Sequence, residues 1–125
     1  MPIEYVIDRI HQRVLTDAHG LVTFQDLNQH LDAEERDRGL ELPELFDARG
    51  ATTNLTAEQV RTLVYRAAST LRRIPLGPTA IVATDDLVFG MARMYAILTE
   101  DSGARVEVFR DVESANRWLQ SLSAT

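Results

Sequence analysis

The stretch Leu45–Val60, LFDARGATTNLTAEQV, gathers side chains suited to chemistry. Asp47, Arg49 and Gly50 are followed by adjacent hydroxyls, Thr52 and Thr53, and then by Thr56 where a helical pattern begins. In an α/β protein, ligands bind beyond the carboxyl ends of strands, and a strand over Leu45–Ala48 is expected to end here. Two chemistries follow: a helix start that cradles an anion, or a hydroxyl that accepts a phosphoryl group and changes the local charge. A structural alternative accounts for the same residues. Asp47 and Arg49 sit two apart, point the same way on a strand, and can pair to hold the loop. Gly50 permits a turn that a side chain would block. Thr56 with Gln59 three residues later reads as a capping box, with Leu55 and Val60 as its hydrophobic staple. The anion cradle is the weaker idea, because Asp85, Asp86, Asp111 and Glu113 already supply carboxylates at other helix starts. No G-x-G-x-x-G or Walker pattern is present.

Other catalytic constellations are poorly supplied. The chain has no cysteine, so thiol catalysis and thiolate metal sites are excluded. All 13 basic residues are arginine, which removes lysine Schiff-base chemistry and the P-loop lysine. His11, His19 and His30 have no metal-type spacing to one another. His30 and Glu34, four apart on a helix, suit a weak surface pair as well as a ligand pair, and neither a metal nor another cofactor is expected. No G-x-S-x-G signal marks a nucleophile. An enzyme using Asp47, Arg49 and Asp85 lacks a nameable nucleophile–base pair. The expectation is a non-catalytic module.

A second candidate surface lies in LVFGMARMYAIL, Leu87–Leu98, where Arg93 is the only charge. A helix apolar nearly all round is buried on more than one side or meets another surface. Phe89, Met91, Met94 and Tyr95 cannot all face one sheet, and Gly90 permits close approach of another backbone. Neighbouring helices can cover these residues. The functional alternatives are a homodimer or partner-protein interface, or a groove for an apolar small ligand lined by Phe89, Met94 and Tyr95.

These residues must be positioned by elements readable along the chain. Ile3, Tyr5 and Ile7 alternate with polar neighbours as a strand. Arg13–Thr16 forms a second strand, continuing past a bulge at Gly20. Thr23 with Asp26 caps a helix with stripe Phe24, Leu27 and Leu31, which Gly39 ends. A third strand spans Leu45–Ala48. The helix from Thr56 carries Val60, Leu63, Val64, Ala67, Leu71 and Ile74 at helical spacing and stops at Pro75 and Gly77. Its Arg61, Arg66, Arg72 and Arg73 read as a solvated face. Thr79–Ala83 is an apolar central strand, Thr84 or Asp85 caps the helix to about Glu100, Arg105–Phe109 is a fifth strand, and Asp111 caps a last helix. Strands joined by single helices imply parallel pairing. The fold class is α/β, a mixed, mostly parallel five-stranded sheet with four helices. Three strands alternate polar with apolar, so helices are expected mainly on one face, the other being partly wet.

Residues 1–125 read as a single domain, and 45% apolar content places it among globular chains. The net charge of −6 argues against nucleic acid as a partner. Leu87–Leu98 is too short for stable membrane insertion. With no cysteine and no signal-like start, a cytoplasmic location is expected.

The series as a whole has a likeness. A strand ending in Asp47-Ala48-Arg49-Gly50, a helix, an apolar strand, then TDDLVFGMARMYAILTE and VEVFRDVESANRWL resemble the small bacterial SpoIIAA-like proteins. These are grouped with the STAS domains and share a βα superhelix with the C-terminal fold of CRAL-TRIO lipid-transfer domains. The resemblance covers nearly the whole chain and is strongest from Phe46 to Leu119. It implies a binding or regulatory domain, and through CRAL-TRIO an apolar or lipid-like ligand. STAS anti-sigma factor antagonists carry a phosphorylatable serine in an Asp-Ser-Ser-Gly type turn. Here that region reads ATTNLTAEQV, so Thr52, Thr53 and Thr56 offer hydroxyls but the motif is absent.

Overall fold

The alternation at Ile3, Tyr5 and Ile7 becomes β1 (Ile3–Asp8), which pairs antiparallel with β2 (Arg13–Val22). The computed structural model describes residues 2–123. The chain continues as α1 (Phe24–Arg36), β3 (Glu44–Thr53), α2 (Ala57–Leu71), β4 (Thr79–Val82), α3 (Asp86–Thr99), β5 (Val106–Phe109) and α4 (Val112–Ser123). The strands lie in the order β1-β2-β3-β4-β5, and every pairing after the first hairpin is parallel. The expected mixed sheet with four helices is therefore present.

Each crossover from β2 to β5 steps to the next strand in one direction. Right-handed crossovers of that kind place their helices on a single face, and α1, α2 and α3 do share one face. After β5 the chain turns back, and α4 packs Ala115 and Leu119 against Ala80 and Val82 on the opposite face. That second face is covered only in part. Over β1 and β2, Val6 and Leu21 remain 64% and 52% exposed. The partly wet face follows from having one helix there rather than three.

Local signals fixed the helix starts. Thr23 and Thr56 each form a full capping box, with Asp26 and Gln59 as the reciprocal partners, and Asp85 accepts from the Val88 amide. At the end of α1 the left-handed residue is Arg38 (φ 62°), not Gly39. Arg38 donates to the Glu35 carbonyl and Gly39 to the Glu34 carbonyl, a Schellman pattern. Gly39 is suited to its place by crowding instead, since a Cβ there would lie 3.2 Å from Val14 Cγ2.

The third strand departs most from expectation. It runs on to Thr53 rather than ending near Asp47, because the extended β2 keeps pairing with it: His19 opposes Gly50 and Val22 opposes Thr53. The register slips once. Asp17 opposes Asp47 and His19 opposes Gly50, so Ala48 and Arg49 face the single Ala18. The extra residue thus lies on β3, while Gly20 contributes only its positive φ of 70°. A bulge of this kind resets the side-chain alternation. Phe46 and Ala48 point inward before it, and Ala51 and Thr53 point inward after it.

Candidate functional site

Three alanines, Ala18, Ala48 and Ala51, carpet the inner face of β2 and β3. Ala92 faces them from α3. Such short side chains do not fill the space beneath the helices, and a cavity of about 150 Å³ remains between the sheet and α1, α2 and α3. Leu27 and Leu31 of α1, Val60 and Leu63 of α2, and Val88 and Met91 of α3 form its apolar wall. Phe46 and Ile81 sit on central strands yet are only half-buried, because their inner sides meet this space.

One end of the cavity is polar and deeply buried. His30 and Glu34 come from consecutive turns of α1, and Glu44 is the first residue of β3. Their side chains are 3%, 1% and 9% exposed. His30 Nε2 donates to Glu44 Oε2 at 3.1 Å, and the Thr16 hydroxyl donates to the same oxygen at 2.5 Å. Glu34 Oε1 lies 2.6 Å from the same Nε2, yet it has no hydrogen bond. The single N–H at Nε2 points to Glu44, so Glu34 sits beside the donor and off its axis. Two carboxylate oxygens thus converge on one donor. His30 Nδ1 is also unpartnered, and the ring stands edgewise between Tyr5 and Phe46, with centroids at 5.3 and 5.6 Å.

Burial and charge act together on this cluster. Burial alone would lower the His30 pKa, but Glu34 and Glu44 beside it raise it to about 9. Burial, and then the negative charge of Glu44, push Glu34 up to about 7, with His30 opposing. Tyr95, whose ring lines the cavity, is pushed up to about 12 by burial and then by Glu44 and Glu34. The expectation of a weak His30–Glu34 surface pair is therefore wrong. Positions 27, 30, 31 and 34 share one face of α1, which turns inward, and its two polar residues are the buried ones while Leu27 and Leu31 border the cavity.

The strand-end residues are arranged quite differently. Arg49 donates to Asp47 through Nε (2.9 Å) and Nη2 (2.8 Å), a two-pronged pair. It holds the Asp47 carboxyl below its ordinary range. Asp47 shares the outer side of β3 with Leu45, whereas Phe46 and Ala48 face the cavity. The pair and the cavity therefore lie on opposite faces of the sheet. Gly50 is a strand residue, not a turn, and a Cβ there would make ordinary contact with His19. Thr52 and Thr53 likewise belong to β3 and not to a loop. The Thr53 hydroxyl donates to the Val22 carbonyl and accepts from the Leu55 amide, while Thr52 is exposed. Thr56 is occupied as an N-cap.

The expected site residues of α3 divide between its sides. Met91 and Tyr95 line the cavity. Phe89 packs on the alanine cluster and is covered by Arg110, whose guanidinium lies 3.8 Å from the ring centroid. Phe89 and Met94 do not line the cavity, so the groove expected from Phe89, Met94 and Tyr95 is corrected to one that keeps Tyr95 and gains Met91. Arg93 is exposed. Leu87, Ile97 and Leu98 are 50%, 56% and 41% exposed, and a Cβ at Gly90 would meet nothing within 4 Å. No backbone approaches Gly90 among the described residues.

Sequence reasoning missed His30, Glu34, Glu44 and Thr16 as a group. The helical spacing of His30 and Glu34 with Leu27 and Leu31 was a readable signal. The convergence of Glu44 was not, since it depends on the pairing of β2 with β3.

No protein-family model matches the chain, and no curated protein matches it. Among solved structures it is similar to an uncharacterized protein from the DUF3478 family with a SpoIIAA-like fold, from Shewanella loihica. The TM-score is 0.59 over 94% of this chain and 93% of that one, at 18% sequence identity. The fold is SpoIIAA-like, as the resemblance implied. Among the described residues, no helix is long and apolar enough to cross a membrane.

Proposed function

We propose that this SpoIIAA-like domain is a binding module whose occupant is a small, mostly apolar molecule held between the sheet and α1–α3. The observation that carries this reading is the unfilled, mostly apolar cavity of about 150 Å³ with His30, Glu34 and Glu44 at one end. An engineered cavity of about 150 Å³ lined by Leu, Ile and Phe takes up benzene. Pockets for drug-sized ligands run to about 300 Å³ or more. The fitting occupant is therefore a ring or a short chain rather than a whole lipid, with one polar group turned toward His30, Glu34 and Glu44. Binding, and not a reaction, is assigned.

The test is a thermal shift with indole and with benzene. Anything that binds the folded state alone raises Tm. A rise is expected in the native chain and not in Ala48→Leu, which places a larger side chain in the cavity. No rise, or equal rises in both proteins, would sink the reading.

A second reading has its own observation. The outer side of α3, with Leu87, Ile97 and Leu98 exposed, would meet a second copy of the chain or a protein partner. Under it, Met94→Glu lowers the mass seen by sedimentation while the circular dichroism stays native. A native chain that sediments as a monomer at high concentration contradicts self-association.

A further inference from the structure

The polar end of the cavity contains three side chains with metal-ligating atoms, and their present arrangement leaves one of them unsatisfied. His30, Glu34 and Glu44 each offer one such atom, and these atoms all lie within 4.8 Å of one another. All three residues are buried. His30 Nε2 has one N–H and two carboxylate neighbours, so Glu34 Oε1 is left without a hydrogen bond at 1% side-chain exposure. A buried carboxylate oxygen without a partner is costly.

We propose that His30 Nε2, Glu34 Oε1 and Glu44 Oε2 bind a divalent transition-metal ion of the zinc type. One imidazole nitrogen with two carboxylate oxygens is a donor set that such ions accept at about 2.0–2.2 Å. Ligand atoms around a tetrahedral ion at that distance are about 3.4 Å apart. The Nε2 to Glu44 separation of 3.1 Å is close to this already, and the 2.6 Å to Glu34 needs to open by less than about 1 Å. The charge also fits. Two carboxylates and a neutral imidazole around a divalent cation leave no net buried charge, whereas two carboxylates beside one imidazolium leave one negative charge. Nε2 carries its proton in the present arrangement, so binding an ion there releases that proton, and the neutral ring keeps its remaining proton on Nδ1, which no other group occupies. Thr16, already bonded to Glu44 Oε2 at 2.5 Å, orients that carboxylate from outside the trio. Three protein ligands leave a further coordination position. The inference rests on the cluster alone and holds whether or not the cavity takes an organic occupant.

The experiment uses the full chain, stripped with chelator and dialysed, and titrated with Zn²⁺ alone by calorimetry. Binding of one ion per chain is expected. Glu34→Gln, which keeps the shape and removes the charge, is expected to weaken it at least about tenfold. His11→Ala, which breaks the exposed Asp8–His11 pair, should leave it unchanged. NMR of the histidine rings in the unmutated protein gives a second readout that needs no buried substitution. The His30 signals should move on adding Zn²⁺, and those of His11 and His19 should stay. Absence of stoichiometric binding, equal affinity in Glu34→Gln, or movement confined to His11 or His19 would overturn the assignment. Loss of indole binding with Zn²⁺ binding intact would count against the cavity reading and not against this one.

Discussion

Two clusters of carboxylates and cations lie on opposite faces of the same sheet. On the outer face Asp47 and Arg49 meet through two hydrogen bonds, and Arg49 is about half exposed. On the inner face His30, Glu34 and Glu44 are buried, and one N–H serves two acceptors. The first pair is two residues apart in the chain and complete in itself. The second is drawn from α1 and β3 and remains incomplete. A satisfied exposed pair anchors its own strand, while an unsatisfied buried one is a place where a further atom would be stabilised. In this molecule the side chains that look reactive in the sequence are the settled ones.

The largest expected effect separates the two clusters by stability. In metal-free protein, His30→Leu leaves Glu34 and Glu44 buried without a cation, and urea denaturation should show a loss of about 3 kcal/mol or more. A loss below about 1 kcal/mol would mean that the inner cluster is no more costly to break than a surface pair.

The pH dependence of the metal-free protein sharpens the same contrast. Glu34 is raised from 4.5 to about 7 and His30 from 6.5 to about 9. For both, the folded state holds its proton more tightly than the unfolded chain. Their stabilising effect is therefore complete at low pH and fades as pH rises, over about 4.5–7 for Glu34 and 6.5–9 for His30. Asp47 has the opposite sign, since its lowered pKa stabilises above its unfolded value and is lost in acid. Chemical denaturation from pH 5 to 9 should show stability falling, and Glu34→Gln should flatten the lower part of that fall. A rise across this range would contradict the assigned environment.

The smallest effect belongs to the outer pair. Arg49→Ala should leave the urea midpoint close to that of the native chain, because Arg49 is half exposed and water screens the attraction. It should also leave indole binding untouched. Weakened indole binding would join the two faces that the sheet keeps apart.

How much of this was legible depends on how local each signal is. The capping boxes at Thr23 and Thr56 and the Asp85 cap need only a few consecutive residues, and all three formed. The Asp47–Arg49 pair is equally local. Element order and pairing direction followed from the alternation of periods. The end of β3 was misread because Gly50–Thr53 looks like a loop, although threonine is β-branched and suits a strand. Its fate was decided by β2 alongside. His30 and Glu34 had the spacing of the inner face of α1, but charged residues are seldom fully buried unless paired. Their partner Glu44 arrives only through tertiary pairing. The cavity itself was invisible, since it is the volume that Ala18, Ala48, Ala51 and Ala92 leave unfilled.

If the inner face of the sheet is the binding side, the two methionines of α3 should respond differently to an occupant. Met91 lines the cavity and Met94 does not. With methyl-labelled methionine, indole is added and both methyl resonances are followed. Met91 should shift and Met94 should stay. A shift at Met94 alone, or at neither, would contradict binding on the inner face.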